Sequence, residues 1–257
     1  MHDDVRALGR PNRRAALMLS AYDRSLARRA LGIAALVGCV VLLVVTATDE
    51  GGGFAKRAAL CAALAPAAGA LGALAAARIA RARGESRALE ALGADPVRVM
   101  RGAVLGGAIV AAIGPALVLA QVADLEPLFP RPAAPSAWIV EPDGGMRDPI
   151  RGTRLGPGGV LEVALRSPEA FAGAPIGERR AAVGMALGIL AVAAPLVATR
   201  DGGSSGRAAF AALLVVAMIA AFQLVAAGRA SAFVVCVPPL VLLALALVSR
   251  YRGAPPR

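Results

Sequence analysis

Apolar runs of nearly twenty residues, without Asp, Glu, Lys or Arg at their centres, recur along the whole chain. An α-helix of about twenty residues crosses the roughly 30 Å of bilayer hydrocarbon. A single water-soluble core does not need so many uncharged runs of that length. The runs fall at about 31–48, 57–79, 103–121, 181–198, 208–227 and 231–249. They predict a membrane all-α fold of six transmembrane helices in a 3+3 arrangement, the halves separated by a polar insertion at 122–180. No sequence repeat relates the halves. Aromatics are only 4% of the 257 residues, so Ala, Leu, Val and Gly must do the packing. Small residues let helix backbones approach closely in lipid, where dispersion replaces water expulsion as the cohesive force. Uncharged span centres argue against proton- or ion-coupled transport, which places ionisable groups inside the membrane.

Charge follows the same plan. The net charge is +11, and in a soluble chain that excess would point to nucleic acid. Here the basic residues fall in loops between apolar spans, where they set orientation. The segment 1–30 carries Arg6, Arg10, Arg13, Arg14, Arg24, Arg28 and Arg29, and the 78–101, 199–207 and 250–257 segments add more. The short loops of the other side hold only Lys56, Arg57 and Arg229. Both termini are therefore expected in the cytoplasm, with no nucleic-acid partner. The basic leader is too long for the n-region of a signal peptide, so no cleaved signal is expected.

The insertion 122–180 is then extracytoplasmic. Pro and Gly are frequent in it: Pro127, Pro130, Pro132, Pro135, Pro142, Pro149, Pro157, Gly144, Gly145, Gly158 and Gly159. Trp138–Val140 and Val160–Leu165 read as strands, and PDGG and GPGG beside them as turns. A small β element tucked against the outer helix ends is expected, with Trp138 either packing in it or anchoring at the membrane interface.

Enzyme chemistry finds no foothold. His2 is the only histidine, and Cys39, Cys61 and Cys236 all sit in apolar spans as small buried hydrophobes. No zinc site or catalytic triad can be assembled. A phosphate-binding loop needs G-x-x-x-x-G-K-[ST], but the only lysine, Lys56, is followed by Arg57. No cofactor is expected, and ATP hydrolysis, if used, belongs to a partner.

One connector carries information. Between the second and third spans stands RARGESRALEALGADPVRVMRG. Glu85 opens a short helix, favoured at the positive end of its dipole. Glu85, Ala88, Leu89 and Leu92 share one face by their i, i+3, i+4, i+7 spacing. Arg87 and Glu90 lie on the other side. Gly93 supplies a left-handed stop, Asp95 an N-cap, and Pro96 the first turn of the next helix. Residues 85–92 thus predict an amphipathic helix on the inner surface, leading into the third span. It is either an ordinary connector or a docking helix that passes a push from a soluble motor into the membrane.

The pattern E-x-x-A-L-x-A-x-G followed by Arg, at Glu85, Ala88, Leu89, Ala91, Gly93 and Arg98, resembles the coupling segment of the lipopolysaccharide-export permeases, the LptF/LptG family. The same short pattern is similar to that of FtsX/MacB-type permeases. In the latter the outer domain follows the first helix and there are four spans, whereas here three spans stand on each side of the insertion. GERRAAVGMALGILAVAAPLVATRDGGSSGR resembles the family's fourth span, PPLVLLALALVSRYR its last, and YDRSLARRAL its start.

This resemblance implies a permease subunit of an ABC-type exporter in the bacterial inner membrane, extracting lipopolysaccharide or a related glycolipid. The implied partners are a cytoplasmic ABC ATPase dimer, a second permease copy or paralogue, the lipid substrate and a periplasmic bridge protein. Glu85, Arg87, Ala88, Leu89, Leu92, Gly93 and Arg98 would couple to the ATPase. Two features depart from the family. The insertion is too short for its β-jellyroll, and the first span lacks the family's basic residues for lipid phosphates. Lys56 and Arg57, at the outer end of the second span, are the nearest substitutes as lipid headgroup contacts. A membrane scaffold or regulator derived from such a permease, or an FtsX/MacB-type permease, is the alternative expectation.

Overall fold

A computed structural model describes residues 13–48, 53–125, 128–129, 138–148, 153–156, 158–163, 176–200 and 204–252. The expectations for 1–12 and 253–257 lie outside these residues. So do those resting on Pro127, Pro130, Pro132, Pro135, Pro149 and Pro157, and the last two positions of the strand expected at 160–165.

The helices are α1 (Arg13–Ala47), α2 (Gly53–Ala82), α3 (Glu85–Ala91), α4 (Pro96–Val99), α5 (Arg101–Ala111), α6 (Ile113–Leu119), α7 (Ile176–Ala198), α8 (Ser204–Ala226) and α9 (Val237–Arg252). Among the described residues, four helical stretches are long and apolar enough to cross a membrane: Ser20–Ala47, Gly53–Ala82, Arg101–Leu119 and Ile176–Ala198. Shorter apolar stretches, Ala212–Ala226 and Ala232–Val248, stand where the fifth and sixth crossings were expected.

The first helix begins earlier than the hydropathy indicates. Residues 13–30, read as a polar segment, continue α1 without a break. Leu26 and Ala30 turn inward and are buried, while Arg24 and Arg28 stay exposed. A helix can thus carry arginines on one face and still pack on the other.

Proline explains three features of the crossings. Pro115 has no N–H for the Ala111 carbonyl, so the third crossing breaks at Ala112 into α5 and α6. The segment expected to form a sixth crossing as one helix is a 3₁₀ turn at Ala232–Cys236 followed by α9. Pro238 and Pro239 sit in the first turn of α9, where a missing donor costs least. Pro66 lies inside α2 without breaking it and frees the Ala62 carbonyl. Against that carbonyl packs Gly114 of α6, so close that a Cβ there would lie 2.6 Å from the oxygen.

The bundle centres on α2, which packs against α1, α5, α6 and α7. Its buried face is Ala58, Ala59, Ala62, Ala65, Ala68, Gly69, Gly72, Ala73, Ala76, Ala77 and Ala80. A Cβ on Gly72 would stand 2.5 Å from the Ala34 Cβ and 2.6 Å from the Ala30 carbonyl. Gly102 and Gly106 press on the backbone of Asp23 and Ala27, and Gly69 on that of Gly107, closer than any side chain allows. These approaches are the small-residue contacts that hold helices together in lipid.

The four described strands are β1 (Ile139–Val140), β2 (Met146–Asp148), β3 (Thr153–Leu155) and β4 (Leu161–Val163). They form an antiparallel meander in the order β1-β2-β3-β4. The two turns fall where PDGG and GPGG place them. Glu141 N donates to the Gly145 carbonyl at 2.8 Å, and Gly156 N to that of Val160 at 2.9 Å. β2 and β3 escaped the sequence reading because MRD and TRL are short and polar. Arg154 ties the meander together, its Nε donating to Glu141 at 2.8 Å. The sheet's described residues pack strand on strand. Trp138, Ile139 and Val140 remain exposed.

Candidate functional site: the α3 joint

The bundle has two ends. At one, α2 and α7 finish together, and Arg81 donates from a guanidinium nitrogen to the Thr199 carbonyl at 2.6 Å. At this end α3 turns across the bundle. Gly84, at φ 74°, ends α2 and caps α3, and Gly93, at φ 84°, ends α3. Both left-handed positions favour glycine because a Cβ would crowd the following carbonyl. The Asp95 carboxylate accepts from Val97 N at 2.9 Å, and Pro96 opens α4. The Gly93 stop, the Asp95 cap and the Pro96 start therefore stand as the sequence predicts.

The predicted face of α3 is divided. The Glu85 carboxylate is not presented outward as a lone charge. Both its oxygens accept from one terminal nitrogen of Arg29 on α1, each at 3.0 Å, with Arg83 at 3.9 Å. Leu89 turns inward onto the cluster of Leu26, Ala76, Ala77, Ala80, Val99, Met100 and Ala103, together with Tyr22 and Ala94. Ser86 is buried beside it. Leu92 is 82% exposed, and Arg87, Ala88, Glu90, Ala91 and Arg98 are exposed as well. The outward surface is thus Arg87, Ala88, Glu90, Ala91 and Leu92, carried by an inward anchor at Ser86 and Leu89.

Arg29 is the residue the sequence reading missed. Its signal was present: it stands one position from the buried Ala30, in a leader whose polarity hid the helix. The Tyr22 hydroxyl and the Asp23 Oδ1 are buried near this joint without a hydrogen-bond partner. Buried polar groups left unpaired cost free energy, so this joint is less fully satisfied than the alanine and glycine contacts around it. Beside the clamp runs a shallow groove lined by Ala21, Arg24, Ser25, Arg28 and Arg29.

At the opposite end α2 and α7 begin. Lys56 is exposed and Arg57 half-buried in the first turn or so of α2. Asp124 N donates to the Ala55 carbonyl at 3.0 Å, which ties the segment after α6 to that turn. The cysteines are free: Cys39 is exposed and Cys61 half-buried, against the expectation of burial, whereas Cys236 is buried. An exposed small apolar thiol on α1 costs little if lipid faces it. Compared with protein-family models, curated proteins and solved structures, the chain matches none.

Proposed function

We propose that this chain is a transmembrane permease subunit of an ABC-type exporter, LptF/LptG-like, that moves lipopolysaccharide or a related glycolipid out of the bacterial inner membrane. The single observation that carries the reading is the α3 joint. A short helix with an exposed apolar residue, Leu92, is anchored by Leu89, clamped to α1 by Arg29–Glu85 and joined through Gly93 and Asp95–Pro96 to the third crossing. Force applied at Leu92 has two rigid routes into the bundle, one through α1 and one through α5.

In this reading α8 and α9 complete six crossings, and both termini and α3 face the cytoplasm. The arginine groove on α1 then lies at the anionic inner leaflet, where each basic residue contributes about 1 kcal/mol of attraction. A separate ABC ATPase dimer supplies the energy. A second permease copy or paralogue closes the lipid cavity, and the protein itself catalyses no reaction.

The test is affinity purification of the tagged full chain in mild detergent, scored for a subunit that hydrolyses ATP. Leu92→Arg and Arg87→Glu should each release that subunit while leaving the chain folded. An ATPase retained by both variants refutes the docking role. The four short described strands favour a second reading, a scaffold or regulator without transport. In that case the reconstituted complex shows no lipid-stimulated ATP hydrolysis.

A further inference from the structure

The β-meander has two faces of different chemistry. Val140 pairs with Met146, Met146 with Leu155, and Leu155 with Leu161. Register partners stand on one face of a sheet, so these four apolar residues form a single row across the four strands. Ile139, Arg147, Arg154 and Glu162 form the adjacent row and take the opposite face. On that face Arg154 donates to Glu141 and to Asp143, and Arg147 is exposed. Neither MRD nor TRL alternates for long enough to show this division in the sequence; the apolar row forms only when the strands pair.

The charged face is at home in water, but an apolar face needs a cover. Val140 is 67% exposed, and Met146 and Trp138 are exposed as well. Trp138 stands two positions before Val140, and strand alternation brings such positions to the same side. The next row on this face, Asp148, Thr153 and Val163, is mixed. The face thus runs from an apolar row, past a tryptophan, to a polar flank.

Size and tether select the cover. Four strands of up to three residues, about 4.8 Å apart, give a face of roughly 200 Å². A stable dimer buries about 800 Å² on each partner, so the same sheet of a second copy is too small a cover to hold by itself. A lipid surface escapes that threshold, because the sheet is already leashed to it. Phe129 is buried in one core with Ala182 and Val183 of α7 and Ala58 of α2, close to where α2 and α7 begin. Positions 129 and 138 are nine apart, a reach of at most about 32 Å. A contact held at such a high effective concentration needs far less area than a free one. Tryptophan suits that level, with its ring in the interfacial region and its N–H toward water.

We infer that the face carrying Val140, Met146, Leu155 and Leu161 is a bilayer-docking surface, seated on the lipid interface beside the third and fourth crossings with Trp138 at its rim. This goes beyond the permease reading and needs no ATPase; it rests only on the apolar helices crossing a membrane.

Trp138 is the only tryptophan in the chain, so its fluorescence reports this face without any variant. The test uses the full chain in phosphatidylcholine nanodiscs loaded with one copy each. Lipid brominated in the upper part of its acyl chains should quench Trp138 about twofold or more, and lipid brominated near the chain ends should quench it less, as interfacial depth requires. Aqueous iodide should quench it weakly. Quenching by iodide and not by brominated lipid places the face in water and overturns the proposal. Protection from both quenchers means that protein covers the face, and overturns it too.

Two neighbouring variants then assign the face. Val140 and Ile139 are both exposed positions of β1, so neither change opens a core. Val140→Asp should abolish most of the quenching by brominated lipid and admit iodide. Ile139→Asp, the same chemistry on the charged face, should leave both readings as in wild type. Equal behaviour of the two variants overturns the assignment of the docking face.

Discussion

Gly72 of α2 faces α1 so closely that one methyl group should separate the two helices. The Cβ of an alanine there would stand 2.5 Å from the Ala34 Cβ, 2.6 Å from the Ala30 oxygen and 2.8 Å from the Ala34 Cα. Apolar carbons rest at about 3.5–4.0 Å, so α2 must retreat from α1 by about 1 Å. None of the three atoms can rotate aside, since two are backbone and the third is an alanine methyl. A gap of that size forfeits about a quarter to a half of each dispersion contact it opens. The expected cost of Gly72→Ala is near the upper part of the 1–3 kcal/mol usual for overpacking, about 2–3 kcal/mol. Gly188→Ala is the control, because a Cβ there meets nothing within 4 Å. It should be neutral or gain up to about 1 kcal/mol of helix propensity. Reversible unfolding in mixed dodecyl sulfate micelles measures both. If the two variants unfold alike, close α1–α2 contact is not what holds this bundle together.

Other perturbations test the joint. Asp95→Ala removes the cap on Val97 N and should cost about 1 kcal/mol, read as faster amide exchange at Val97, Arg98 and Val99. Gly93→Ala must hold a φ of 84° and should cost about 1–2 kcal/mol in the same unfolding assay. The exchange of Arg29→Glu with Glu85→Arg should restore most of what either change alone removes. The pair is only part-buried, so its coupling energy in a double-mutant cycle should stay at about 1 kcal/mol or below. Arg154→Ala should loosen the β-meander, seen as exchange at Glu141 and Gly145, without shifting unfolding of the helices.

The sequence was most legible where local chemistry decides the backbone. Gly93, Asp95 and Pro96 could be assigned their roles because a left-handed stop, a cap and a first-turn proline are each one-residue requirements. PDGG and GPGG placed the β1–β2 and β3–β4 turns for the same reason. Hydropathy located the long crossings but not their interruptions, since the break at Ala112 depends on Pro115 three positions on, inside a run that stays apolar. It also misplaced the start of α1, where Leu26 and Ala30 are buried by partners far away in sequence. The face of α3 was misjudged most. Helical spacing puts Glu85 and Leu92 on one side, but it cannot show that Arg29, 56 positions earlier, occupies the carboxylate.

Leu92→Cys, in a chain whose Cys39, Cys61 and Cys236 are replaced by alanine, gives the most direct measurement of the central idea. A membrane-impermeant maleimide should label it in inverted vesicles and not in sealed cells. Labelling should fall at least severalfold when an ATP-hydrolysing partner is bound. Labelling from outside the cell, or labelling indifferent to the bound ATPase, would contradict the assignment of α3 as the point where energy enters this protein.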